Sequence, residues 1–314
     1  MKRETILVLS DTHIGGEISR FSLYQENIIE LMTRYDHVVL NGDDWELFYL
    51  DQHHVRQLSG LLEMLTGKSS QDWRREFDSD GSARGGVTDV IRGARLFVEE
   101  FLARHPRVHW HVVGGNHESV RRFHNELEDI QKHHPREFEW SPQAVRIHDA
   151  LFTHAHLQMS RKTIEEFPRA RLRHAEKAKR WAKFLSFFAK PDHAFHKWAR
   201  SPEKASRKMQ RQLGRWDGQD QFFVSQNGIH TPLRMDSVRH VFFGHTHVKF
   251  DNLEGENGVF FHNTGAIVKE TSRHAGDLGL LEAEFGPEGA VRNVRPVRVE
   301  RDAGPRGRQK GAPA

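Results

Sequence analysis

The chain has 314 residues, 37% hydrophobic and 29% charged, with a formal net charge of +4 and no cysteine. That length can bury a large core, in one large domain or two small ones. The missing cysteines exclude disulfides, thiolate catalysis and cysteine-ligated zinc, and fit a reducing cytoplasm. No apolar run is long enough to cross a bilayer, and the short run Ile6–Leu9 leads directly into Asp11, so it reads as a strand rather than a signal peptide.

Thr5 to Ser10 predicts a buried strand ending at Asp11, Leu23 to Tyr35 a helix, and His37 to Leu40 a second strand. Asp43 to Met64 reads as helical after a turn, and the polar, glycine-containing stretch Gly67 to Gly86 as an exposed loop. Val87 to Arg104 places Val90, Ala94, Phe97, Val98 and Phe101 on one helical face, and Val108 to Val113 is a third strand. Such strand–helix–strand alternation implies a layered α/β core.

Three hairpins follow. They pair Ala144–Ile147 with Leu151–Thr153, Phe250–Leu253 with Val259–His262, and Leu278–Phe285 with Val291–Val299. Val238 to Phe243 is a further buried strand, so a two-sheet sandwich is expected over residues 1–300. Residues 157–228 read as a helical insertion, since the strand pattern stops there. From Leu157 to Arg215, roughly 17 Lys and Arg stand against about 5 Asp and Glu. An anionic membrane surface or a nucleic acid is the expected partner of that segment. The Gly/Pro/Arg-rich tail, residues 301–314, is expected to be disordered.

Five polar clusters follow strands: Asp11-Thr12-His13, Gly42-Asp43, Gly115-Asn116-His117-Glu118, Thr153-His154-Ala155-His156 and Gly244-His245-Thr246-His247. Each is rich in oxygen and imidazole donors. A chain leaving a strand can turn both Asp11 and His13 toward one ion. Gly42 lets the backbone approach the site closely, and the Asp43 carboxylate can bridge two ions or cap a helix. Asn116 offers a neutral oxygen, and His117 beside it can face a substrate instead. His154 and His156 alternate along an extended segment, as do His245 and His247.

In this order the clusters resemble those of the calcineurin-like metallophosphoesterases, over about Ile6 to Gly265 apart from the insertion. The resemblance implies an α/β fold, a four-layer two-sheet β-sandwich flanked by helices, with the site on loops at one edge. It implies two divalent metal ions, Mn first and Fe or Zn as alternatives. Asp11, His13 and His247 would hold the first, Asn116, His154 and His245 the second, and Asp43 would bridge them. His117 matches the histidine that protonates the leaving oxygen. Glu46 stands where the family often has an aspartate that orients that histidine. His156 is read as supporting or surface.

The implied activity is hydrolysis of a phosphate ester or diphosphate, by in-line attack of a hydroxide shared between the ions. Asn41 to Phe48 is similar to the corresponding segment of the UDP-2,3-diacylglucosamine hydrolases, and Arg180 to Phe188 would then serve as a basic, aromatic lid. The basic insertion equally suits a nuclease or nucleotide phosphodiesterase. A scaffold without activity would have lost metal ligands, and every expected donor type is present.

Overall fold

The computed structural model describes residues 3–48, 53–79, 86–154, 201–219, 222–268 and 278–302. Alternation along the strands determines its layers. In β1, Glu4–Leu9, successive side chains point to opposite faces. Ile6 and Val8 pack between two sheets, while Leu7 and Leu9 pack against helices. With both faces covered, the strand is a continuous apolar run.

The same logic places β2 (His37–Leu40), β3 (His109–Val113) and β4 (Phe138–Ser141) parallel to β1. The hairpin of β12 (Leu280–Phe285) and β13 (Val291–Pro296) completes this sheet on the other side of β1, with β12 antiparallel to it. Helices α1 (Gln25–Met32), α2 (His54–Thr66), α3 (Ser70–Ser79), α4 (Val87–Arg104) and α5 (Arg121–His133) accompany the sheet. Their apolar residues Ile28, Leu58, Trp73, Phe97 and Phe123 share one cluster with Leu7, Val38 and Trp110 on its outer face.

The second sheet has the order β10-β11-β9-β6-β5-β7-β8. Its strands are β5 (Val145–Ile147), β6 (Ala150–Thr153), β7 (Phe223–Gln226), β8 (Ile229–Pro232), β9 (His240–Phe243), β10 (Phe250–Glu254) and β11 (Phe260–Asn263). Phe152 and Phe242 face the first sheet and stack with ring centroids 4.9 Å apart. Leu151, Val241 and Phe243 face outward, where α6 (Pro202–Trp216) covers them with Ala205, Met209 and Leu213. Helices, sheet, sheet and helix make the four expected layers, and the three expected hairpins pair antiparallel.

Some expectations are corrected. The 67–86 stretch contains α3, because Trp73 and Phe77, four residues apart, bury on one face. Residues 43–48 are not helical. Ile14 and Trp45 form a β-bridge there, and α2 starts only at His54. Most of the 157–228 insertion lies outside the described residues, with His156, the 180–188 segment and the tail from 303. Its described end is α6 and then β7, a strand within the bounds expected for a helical insertion. Among the described residues no helix is long and apolar enough to cross a membrane.

Candidate metal centre

β1, β2 and β3 run parallel, as do β6 and β9, so Leu9, Leu40, Val113, Thr153 and Phe243 end strands that carry the five clusters. Ligands commonly bind outside the carboxyl ends of strands in such sheets. The loops after β1 and β2 lie side by side, with Asp11 N–H donating to Gly42 O at 2.9 Å and His13 N–H to Asp43 O at 3.0 Å. Asn41 Nδ2 donates to Phe242 O at 3.2 Å and ties the two sheets together beneath them.

The turns are conformationally costly. Nine described non-glycine residues have positive φ, and five are candidate ligands: Asp11 (53°), His13 (49°), Asp43 (55°), His245 (67°) and His247 (56°). The left-handed region costs an ordinary residue about 1–2 kcal/mol. Its concentration here means that the surrounding packing holds these side chains in place. Gly42 (φ +87°) shows how close the loops come, since a Cβ there would lie 2.5 Å from His154 Cβ.

Three overlapping donor groups result. Asp11, His13 and His247 each offer one atom within 4.8 Å of the others, and so do Asp43, His154 and His245, and His13, Glu46 and His117. His247 Nε2 lies 3.1 Å from Asp11 Oδ1, and His154 Nε2 lies 3.0 Å from Asp43 Oδ2 and 4.0 Å from Asp11 Oδ1. The groups are therefore adjacent. His117 N–H donates to Asp43 Oδ1 at 2.7 Å, which brings the Asn116-His117 turn against Asp43. All the residues expected from sequence thus meet at one edge, except His156, which lies outside the described residues.

The donor chemistry fits divalent cations. His13 Nε2 and Asn116 Oδ1 are buried, and among the described residues neither has a hydrogen-bond partner. Such orphaned atoms are costly unless something coordinates them. His154 Nδ1 donates to the Asn41 carbonyl at 3.0 Å, which fixes the tautomer and leaves Nε2 toward the site. His13 Nδ1 meets Glu46 Oε2 at 3.2 Å and likewise leaves Nε2 inward. Histidine ligands are typically oriented by such partners. Carboxylate, imidazole and amide donors suit Mn²⁺, Fe or Zn²⁺ better than a soft ion.

The buried carboxylates and imidazoles perturb one another strongly. Burial opposes ionisation of Asp11, but His154 and His247 outweigh it and bring the carboxyl down to about 2. Asp43 is likewise held well below the usual range by His154 and His117 despite its burial. Burial alone would depress His154, yet Asp43 and Asp11 raise it to about 9. Burial, Glu118 and Asp11 push the neighbouring Asp44 carboxyl well above the usual range.

Two groups have roles that the sequence reading did not assign. Glu118, 1% exposed, accepts backbone N–H bonds from Asp43 (2.9 Å), Asp44 (2.6 Å), Trp45 (2.8 Å) and Gly115 (2.7 Å). It holds the β2 and β3 loops together, and its only signal in the sequence is its place after His117. Asn263 Nδ2 donates to Gly244 O (3.1 Å) and Thr246 Oγ1 (2.9 Å), which fixes the turn bearing His245 and His247.

The profile of the family described as calcineurin-like phosphoesterase matches residues 4–249. No curated protein sequence matches the chain. Among solved structures, Yfce, a phosphoesterase from E. coli, is similar at 12% identity and a TM-score of 0.35, over 94% of this chain and 100% of that one. The sulfate thiohydrolase SoxB of Thermus thermophilus is similar at 12% identity and a TM-score of 0.38, over 95% of this chain and 56% of SoxB. With its match covering more than three quarters of its length, the chain belongs to the calcineurin-like phosphoesterase family.

Proposed function

We propose that the protein hydrolyses a phosphate ester or diphosphate with two divalent cations bound side by side, and that His117 protonates the leaving oxygen. The observation that carries this reading is the pair of adjoining donor groups, Asp11-His13-His247 and Asp43-His154-His245, with His117 beside both. When bound, the cations supply Lewis acidity that lowers the pKa of a shared water and neutralises phosphoryl oxygens.

The chain's own residues do the rest. Asp43 offers one oxygen to the His117 backbone N–H and turns the other toward His154 and His117, which suits it to lie between the two groups. His117 Nε2 is 3.8 Å from Asp43 Oδ2, which supports its reading as the proton donor. Its Nδ1 lies 2.7 Å from Glu46 Oε2. Burial opposes ionisation of Glu46, but His117 and His13 hold the carboxyl well below its usual range, so it stays anionic beside His117 Nδ1. Proton donation of this kind contributes about 10²–10⁴-fold.

The test is a screen of phosphomonoesters, diesters and diphosphates with Mn²⁺-loaded protein, alongside metal analysis. Turnover that disappears on chelation and returns with Mn²⁺ supports the reading. A pure sample that takes up no divalent ion refutes it.

A further inference from the structure

We propose that the outer face of α6 is a docking track for the phosphate backbone of a nucleic acid. Lys204, Arg207, Lys208, Arg211 and Arg215 fall within about 100° of the helix circumference and extend for about 16 Å along its axis. With Gln212 they border an open surface recess of about 330 Å³. Lys204, Arg207, Arg211 and Arg215 are exposed. Among the described residues none of these four forms an ion pair.

The helix is also rigidly seated. Ala205, Met209 and Leu213 are at most 5% exposed and pack against Val241, Phe243 and Phe261 of the second sheet. The cationic face is therefore presented on a fixed support, with arginines at 207, 211 and 215 one turn apart. A row of guanidinium groups along a straight edge matches a linear polyanion, since each can take a phosphate through paired N–H donors.

The same packing argues against a membrane. A helix lying in a lipid interface needs an apolar face to bury there, and the apolar face of α6 is already used by the protein core. A stripe one helix wide also fits a strand better than a plane. Backbone tracking by a positive groove is independent of base sequence.

The proposal goes beyond the reading of the metal site, and binding tests it without turnover. Labelled single- and double-stranded 30-mers are titrated with the full chain, and with the Arg207→Ala/Arg211→Ala/Arg215→Ala variant, from 50 to 200 mM KCl. The wild type is expected to bind with a steep salt dependence. The variant should lose at least ~10-fold in affinity at 50 mM, and its log–log salt slope should shrink by about 2–3. The Arg→Lys triple variant should keep most of that slope. Hydrolysis of bis-p-nitrophenyl phosphate by the alanine variant should be unchanged, which also shows that it folds. The proposal is overturned if the wild type does not bind at 50 mM, if the alanine variant binds equally well, or if only phosphatidylglycerol vesicles are bound. Loss of small-diester turnover by the wild type would strike the metal-site reading alone.

Discussion

Glu46 Oε2 lies 2.7 Å from His117 Nδ1, and the same oxygen lies 3.2 Å from Nδ1 of His13. One carboxylate thus backs both a candidate proton donor and a candidate metal ligand, whose rings meet edge to face with centroids 4.6 Å apart. Glu46→Gln should therefore show two separable defects. Metal affinity at the His13 group should fall by about 10–100-fold, as for other partners of ligating histidines. At saturating Mn²⁺ kcat should stay depressed, because the support for His117 is still altered. His117→Ala should keep its metal and lose about 10²–10⁴-fold in kcat. Metal analysis and kinetics across a Mn²⁺ titration separate the two effects, and full recovery of kcat in Glu46→Gln would remove Glu46 from the proton-transfer role.

Glu118 predicts a structural defect that precedes any catalytic one. Its carboxylate satisfies four buried backbone N–H groups, from Asp43, Asp44, Trp45 and Gly115. Glu118→Ala would leave all four without a partner, at about 1–3 kcal/mol for each group left unsatisfied, less whatever water recovers. A loss of about 3–5 kcal/mol in urea unfolding is expected, with Tm falling in step. Glu118→Gln should lie between, since its amide keeps one accepting oxygen but turns a donor toward the other amides. Unfolding of the alanine variant within 1 kcal/mol of wild type would show that these bonds contribute little.

Much of this site is legible from residue order, and the reason is physical. Strands buried on both faces are continuous apolar runs, so the polar donors after Leu9, Leu40 and Phe243 stand out sharply. The less visible elements carry charge within them. α5 buries Phe123, Leu127 and Ile130 at helical spacing, but the charged residues between them mask that stripe. β4 contains Glu139, which is buried because His111 and Ser225 Oγ bond it from other strands and the Gly228 N–H from the β7–β8 turn. No local pattern announces such a partner. The β7–β8 turn was readable: Asn227 (φ 53°) and Gly228 (φ 75°) form the Asn-Gly signature of a tight hairpin. It was masked by the basic stretch before it. The non-helical 43–48 segment is likewise set from a distance, because Glu118 takes the N–H groups of Asp43, Asp44 and Trp45.

Gly42 gives a test of how tightly the loops must approach. Its φ of +87° already disfavours a side chain, and a Cβ would lie 2.5 Å from His154 Cβ and 2.6 Å from its Cγ. Both neighbours belong to a side chain whose ring is hydrogen-bonded to Asn41 O and paired with Asp43, so it cannot give way cheaply. Gly42→Ala should displace His154, halve the bound metal or worse, and lower stability by about 1–3 kcal/mol through backbone strain and overpacking. Metal stoichiometry measured beside Tm checks both effects. Wild-type metal content with wild-type Tm would mean that the loops are looser than this contact implies.

The acid limb of stability should be steep, for a reason unconnected with the metal groups. His262 is fully buried. Its Nδ1 accepts the Asn252 N–H at 3.0 Å, and its Nε2 lies 3.0 Å from His240 Nδ1. With Nδ1 already an acceptor, the ring is neutral with its proton on Nε2, and a second proton has no acceptor to meet. Burial, reinforced by His240, accordingly depresses His262 to about 3. Burial, reinforced by His111 and His109, brings His37 to about 3 as well. In the unfolded chain both histidines titrate near 6.5. Above that value neither state binds the proton, and the pair has no effect on the pH dependence of stability. As pH falls below about 6.5 the unfolded state binds protons that the folded state refuses, so stability drops by about 1.4 kcal/mol per pH unit for each histidine. The drop should end only near pH 3, where the folded state takes up the protons too. Urea unfolding at pH 7, 6, 5 and 4, with ¹⁵N shifts of the His262 ring followed over the same range, tests the argument. A His262 ring that protonates above pH 5 in the folded protein would contradict it.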